Sequence, residues 1–115
     1  MKYFYRLKFR LESSEQANAI TRILNKQPTR CGDYSWEVDF QESDLDQQFH
    51  GYLDYVESIL TSAASALEGI GIKPGDVSVW VLYEYEEQCN LEFPPNQVKR
   101  LYDLGVSLCI SCWQT

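Results

Sequence analysis

Histidine is nearly absent from this chain, and its scarcity narrows the chemistry that the sequence can support. His50 is the only histidine among 115 residues, so Ser-His-Asp triads and histidine-rich metal sites lack most of their usual parts. A phosphate-binding glycine loop is also missing, because Gly69-Ile-Gly71 follows a predicted helix instead of preceding one. We therefore expect no catalytic residues, no cofactor and no metal.

Long apolar runs are missing as well. Residues 1–10 alternate basic and apolar side chains, unlike a secretory signal, and no apolar run approaches membrane-spanning length. The four cysteines are most simply explained as reduced thiols in a reducing compartment. We expect a cytoplasmic protein that does not contact a membrane.

Two of these cysteines, Cys109 and Cys112, have the CxxC spacing of a zinc knuckle or a redox pair. Both uses need a turn or a helix start, whereas this motif lies in a predicted strand, where positions three apart point to opposite faces. Cys31 and Cys89 are single, so a second knuckle is missing. A zinc site built from all four cysteines is the alternative to the favoured interpretation, which is structural thiols.

Basic residues are scarce after residue 30. Residues 1–30 carry seven Lys or Arg against two acids, a net charge of +5, and residues 31–115 carry three against fifteen, a net charge of −12. The sum is −7. Such a charge repels nucleic acid and attracts a basic protein. We therefore expect a basic protein as partner and no nucleic acid.

Polar–apolar alternation predicts four strands, and helical spacing predicts three helices between them. The order is β-α-β-α-β-α-β in a single domain over residues 1–115. We expect an α+β fold in which the helices pack on one face of a mainly antiparallel or mixed sheet of four to five strands. The third predicted strand, from Val77 to Glu86, begins with residues that are apolar on both faces, which predicts cover on each side.

The predicted helices carry start and stop signals. Ser13 and Gln16 predict a capping box at the first helix. Ser43 or Asp46 is expected to cap the longest helix, whose apolar stripe begins at Leu45. The pair Pro94-Pro95 predicts the start of the last helix, and Gly105 its end.

The candidate functional residues are acids with one aromatic anchor. Alternation places Glu84 and Glu86 on one face of their strand. An alternative without special function is that the acids at this strand end pair with Arg6, Lys8 and Arg10 across the sheet. The predicted contact residues are Asp33, Glu37, Asp39, Glu84, Glu86, Glu87, Glu92 and Trp80.

Several motifs resemble the bacterial domain family of unknown function DUF4279. They are Ile23-Leu24-Asn25-Lys26-Gln27-Pro28-Thr29, the Gly32-Asp33 loop before Trp36, Leu91-Glu92-Phe93, and Leu101-Tyr102-Asp103-Leu104-Gly105-Val106 running into Leu108-Cys109-Ile110. The resemblance implies a small α+β domain without known catalytic residues, similar to immunity proteins of polymorphic toxin and contact-dependent inhibition systems. The last strand has Ser111-Cys112-Trp113 where the family often has an acid and a tyrosine, so no site residue is transferred.

Together these features predict an immunity protein that occludes the basic active site of a toxin. We expect the immunity protein to be a monomer that binds the toxin 1:1, and we expect the toxin to be a nuclease. An acidic inhibitor associates faster with a basic active site, and its charge disfavours binding to wrong partners. One alternative is a regulatory or structural module that forms homodimers through an exposed strand. The other is a small carboxylate-dependent hydrolase, which would need a concave pocket with acids of raised pKa.

Overall fold

The computed structural model describes residues 2–41 and 48–114, and these form a five-stranded sheet with three α-helices. The strands are β1 (Lys2–Arg10), β2 (Arg30–Cys31), β3 (Ser35–Gln41), β4 (Val77–Tyr85) and β5 (Ser107–Gln114). The helices are α1 (Ser14–Leu24), α2 (Gln48–Gly69) and α3 (Pro95–Leu104), with a short 3-10 turn at Pro74–Asp76. The predicted α+β class is confirmed. The two-residue strand β2 is an addition to the four predicted strands.

The sheet is mixed and has the order β2-β3-β1-β4-β5. The pairings β2–β3, β3–β1 and β1–β4 are antiparallel, and β4–β5 is parallel. A parallel pair needs a crossover connection, and α3 supplies it between β4 and β5. The first strand of the chain therefore lies at the centre of the sheet.

One face of the sheet forms the core with the helices. On β1 the alternate residues Tyr5, Leu7 and Phe9 are fully buried, and they share one cluster with Ile20 of α1 and Leu53 of α2. The period-two pattern of β1 produces this burial because successive side chains point to opposite faces. The opposite face carries the polar half of β1, and we call it the outer face.

Local sequence signals place the start of α1 and both ends of α3 where they were predicted. The Gln16 amide donates to Ser13 Oγ at 3.4 Å, and the Ser13 amide donates to Gln16 Oε1 at 3.3 Å, which confirms the capping box. Helix α3 begins at Pro95 and ends at Leu104, and its C-cap is Gly105, whose φ is +72°. The predicted cap residues of α2, Ser43 and Asp46, and the stripe residue Leu45 lie outside the described residues. Within residues 2–41 and 48–114, no helix is both long and apolar enough to cross a membrane.

The outer face of β4 differs from its prediction. Its side chains there are Ser78, Trp80, Leu82 and Glu84. Ser78, Trp80 and Glu84 are only half-buried, so the full cover that the sequence predicted for both faces of β4 is wrong for this face. Leu82 is nevertheless buried, because Phe4 of β1 and Trp113 of β5 stack across this face with ring centroids 6.5 Å apart.

Candidate functional site

Two of the predicted contact acids, Glu37 and Asp39, belong to an ion-pair network on the outer face. Both lie on β3, opposite Lys8 and Arg6 of β1. Arg6 donates two hydrogen bonds to Asp39, at 2.8 and 3.3 Å. Arg30 of β2 donates to Glu37 at 2.8 Å and to Asp39 at 2.6 Å. Lys8 Nζ lies 3.5 Å from Glu37 Oε1. Three bases thus surround two acids.

The electrostatics of Asp39 follow from these contacts. Burial alone would raise the pKa of Asp39, but the hydrogen bonds from Arg6 and Arg30 outweigh it and hold that pKa below its ordinary value. Glu37 is only 9% exposed. Both carboxylates are therefore neutralised locally, and neither presents a free negative charge to a partner.

Arg6, Lys8 and Arg10 of β1 do not pair with the acids at the end of β4. Arg6 and Lys8 pair with acids of β3, and Arg10 pairs with Asp76 at 2.9 Å. The alternative in which Glu84 and its neighbours are neutralised by these three bases is therefore wrong. The reason is the strand order and register, which place carboxylates of β3 beside Arg6 and Lys8 and the turn before β4 beside Arg10.

The remaining acids gather at the C-terminal end of β4. Residues 74–98 contain no Lys, Arg or His, and among the described side chains no ion pair reaches Glu84, Glu86, Glu87 or Glu92. We call these four residues the acidic end. Glu84 is the β4 partner of Lys2, whose side chain lies outside the described part of the chain. Glu84 is half-buried on the outer face, and the other three are exposed. Because β4 ends at Tyr85, Glu86 lies beyond the strand, and the prediction that Glu84 and Glu86 share one face of that strand is wrong.

An aromatic hollow opens beside the acidic end. It consists of two adjoining cavities of about 390 and 520 Å³, which share Tyr3 and Asn90. Tyr3 stacks on Tyr83 with centroids 4.6 Å apart, and Phe49 meets Phe93 edge to face at 5.1 Å. Glu86, Glu87 and Glu92 stand among its lining residues. Aromatic faces beside carboxylates are suited to cationic side chains, through charge and cation–π attraction.

The other predicted contact residues lie elsewhere. Asp33 is exposed in the β2–β3 loop. This loop adjoins the pair Arg10–Ser35, at the end of the sheet opposite the acidic end. Trp80 is half-buried on the outer face, where Lys8 Nζ lies 5.6 Å from its ring and its indole N–H donates to Ser78 Oγ at 2.9 Å. The eight predicted residues therefore occupy separate places, and only the acidic end brings several together.

His50 and two carboxylates outside the acidic end have defined partners. His50 lines the hollow, but its Nε2 lies 3.6 Å from Asp54 Oδ2 on the same helix. The pKa of Asp76 is lowered, chiefly by a hydrogen bond from the Lys73 amide, as that of Asp39 is lowered by arginine. The hydrolase alternative, which would use the acids of the acidic end, stays a prediction.

The CxxC motif is arranged as predicted. Cys109 pairs with Trp80 on the outer face, and Cys112 pairs with Tyr83 on the helix-covered side, so the two thiols point to opposite faces. Residues 2–41 and 48–114 contain no group of three or more His, Cys, Asp or Glu placed to hold a metal ion. Another contact was not predicted: Cys89 Sγ lies 2.9 Å from Cys112 Sγ. Only the strand order places these two residues together.

Comparisons with known proteins give no relative. No protein-family model matches the chain, and no curated protein or solved structure matches it. The resemblance to DUF4279 domains is neither supported nor contradicted by these comparisons and stays a prediction. The function has to be inferred from the residues and geometry of this chain.

Proposed function

We propose that the chain is a cytoplasmic immunity protein that binds a basic toxin domain through its acidic end. The observation that carries the proposal is the distribution of neutralised and free acids. Glu37 and Asp39 are occupied by three bases, whereas Glu86, Glu87 and Glu92 of the acidic end have no ion pair among the described side chains and line an aromatic hollow. Glu37 and Asp39 are therefore left out of the proposed contact surface.

A nuclease toxin is the partner class that suits this surface. A nuclease must be positive where it grips phosphate, so an inhibitor that covers the active site gains from negative charge at its own contact surface. The tyrosines and phenylalanines of the hollow would provide the rigid aromatic anchors that dominate many interfaces. Free carboxylates at the rim would steer the encounter and raise the association rate.

The position of the charge matters more than its total. From the pair Tyr3–Tyr83 to the pair Phe9–Val77, six residues of β1 separate the two ends of the sheet, a distance of about 20 Å. The Debye length at physiological ionic strength is about 8 Å. Acids at the far end of the sheet are therefore largely screened from a partner bound at the acidic end.

This separation permits a matched test with two charge-reversal variants. Glu86→Lys with Glu87→Lys changes the acidic end, and Glu12→Lys with Glu68→Lys changes two exposed acids at the far end. Neither Glu12 nor Glu68 has an ion pair within the described residues. Both variants change the net charge from −7 to −3. If the neighbouring upstream gene encodes a large secreted protein with a variable C-terminal toxin domain, that domain is the binding partner to use, with association rates measured over a salt series.

We expect the acidic-end variant to associate at least tenfold more slowly at low salt and to lose most of its salt dependence. The far-end variant should behave like the wild-type chain. Co-expression with the toxin should give the same ranking in cell survival. Equal losses in both variants would show that net charge alone matters, and no loss in either would remove the acidic end from the interface.

A homodimer is the second candidate, and the edge of β5 favours it. Within the described chain β5 pairs only with β4, and its eight residues include no charged residue and no proline. Natural edge strands usually carry such residues to prevent strand addition. Sedimentation velocity over a concentration series tests this candidate, and Ile110→Lys, at an exposed position of β5, should return a dimer to monomer. A monomer at all concentrations excludes it.

A further inference from the structure

Two cysteines that are distant in sequence meet beside the acidic end. Cys89 lies in the irregular segment after β4, and Cys112 lies on β5, 23 residues later. Their Sγ atoms are 2.9 Å apart and both residues are exposed. A disulfide bond is about 2.05 Å long, so the two sulfurs need to approach by only about 0.9 Å. Such a shift is small for an exposed residue outside helix and strand.

We propose that Cys89 and Cys112 form a dithiol modification site, which exchanges with small-molecule disulfides to give an intramolecular disulfide. The CxxC partner Cys109 takes no part, because its side chain lies on the outer face. The proposal does not depend on the identity of the partner protein. It adds a covalent tie between β5 and the segment that carries three of the four acids.

The exchange balances as two successive displacements. The Cys89 thiolate attacks one sulfur of an oxidised small thiol such as glutathione disulfide, whose S–S bond breaks and releases one thiolate. Cys112 then loses its proton and attacks the Cys89 sulfur, and the second small thiolate leaves. The protein loses two electrons and two protons, which the two released thiols carry away.

The environment of the two thiols suggests the order of attack. Contact with Cys89 and, to a smaller extent, burial raise the pKa of Cys112, which keeps it protonated and slows its own attack on an external disulfide. Both thiols are exposed to an external disulfide, but Cys89 lies outside helix and strand, so its side chain can turn toward that disulfide without disturbing the pairing of β4 and β5. We therefore assign Cys89 as the attacking thiol and Cys112 as the resolving thiol.

The bond would restrict the acidic end. Gln114 already donates a hydrogen bond to the Glu86 carbonyl at 2.9 Å, which is another contact between β5 and this segment. A disulfide at Cys89 would fix the segment at a second point. Backbone amides of residues 86–93 should then exchange with solvent more slowly in the oxidised protein.

The test uses the full chain, reduced and then equilibrated in glutathione redox buffers of increasing oxidation. We expect two of the four thiols to be lost together, and peptide mapping to find Cys89 joined to Cys112. The variants Cys31→Ser and Cys109→Ser should each lose two of their three thiols in the same buffers. Cys112→Ser should trap glutathione on Cys89. Circular dichroism of each reduced variant checks that it is folded.

Three results would overturn the inference. One is a disulfide between Cys109 and Cys112, and another is glutathione held on Cys89 of the wild-type chain without closure of the intramolecular bond. The third is a full complement of four thiols in buffers that oxidise a typical exposed dithiol. If the disulfide forms but hydrogen exchange of residues 86–93 is unchanged, the proposed restriction of the acidic end is wrong.

Discussion

Replacing Glu37 by glutamine tests whether burial makes the outer-face network important for stability. Glu37 has Arg30, Lys8 and Arg6 within 2.8, 3.5 and 4.0 Å. The substitution keeps the size of the side chain and one acceptor oxygen. It leaves Asp39 as the only acid among three bases, so the net charge of this group rises from +1 to +2.

The expected loss of stability follows from the exposure of the partners. Removing one member of a fully buried ion pair costs about 3–5 kcal/mol. Here the carboxylate is buried, but the side chains of Arg6, Lys8 and Arg30 are 22%, 35% and 48% exposed, so water can hydrate the charges that are left. We therefore expect a smaller loss, of about 1–2 kcal/mol. For a domain of this size it lowers the melting temperature by about 4–8 °C.

Urea unfolding at neutral pH measures this loss. One probe is tryptophan fluorescence, to which buried Trp36 contributes, and the other is circular dichroism. Asp103→Asn is the matched control. Asp103 pairs with Lys99 at 2.8 Å, but both side chains are more than half exposed, and its removal changes the net charge of the chain by the same amount. We expect no measurable change in the control. Equal effects in the two variants would refute the argument that burial gives the network its value.

Three further changes have expected outcomes. Asp39→Asn should destabilise the protein above pH 3.8, the ordinary pKa of the carboxyl. The folded-state pKa of Asp39 lies below 3.8, so the difference in unfolding free energy between wild type and variant should shrink as the pH falls from 3.8 through the folded-state pKa. Urea unfolding at a series of pH values measures this difference. Gly105→Ala should cost about 1–2 kcal/mol, because φ is +72° and the added Cβ would lie 3.2 Å from Pro74 Cβ, whereas Gly75→Ala, with open space around it, should leave the melting temperature nearly unchanged. Ser13→Ala should cost about 1 kcal/mol through loss of the cap on α1, measured in the same way.

Signals that act over a few residues were predictable from the sequence. The capping box at Ser13 and the start of α3 at Pro95 depend on contacts between residues at most four apart, and both are found where expected. The alternation of polar and apolar residues is a less exact guide to where a strand begins or ends. Tyr34 continues the pattern of β3, yet β3 begins at Ser35 and Tyr34 is 74% exposed, because a pattern of side chains does not say where backbone pairing starts.

Features that depend on strand order were not predictable. The bases of β1 alternate on one face in the sequence, but β1 has two neighbours, and acids lie on that face in both. Only the register, with Lys8 opposite Glu37 on one side and Ser78 on the other, determines which acids are neutralised. The same limit applies to Cys89 and Cys112, whose contact depends on β5 lying parallel to β4.

This limit changes how net charge should be used to locate a binding surface. The C-terminal three-quarters of the chain has a net charge of −12, but that value does not apply to any surface of the folded protein. Glu37 and Asp39 come from the acidic part and are neutralised by bases that come mainly from the first ten residues. A carboxylate attracts a partner only to the extent that the fold leaves it unpaired and exposed. The acidic end satisfies both conditions for Glu86, Glu87 and Glu92, and a charge reversal there should affect association more than the same reversal at any paired acid.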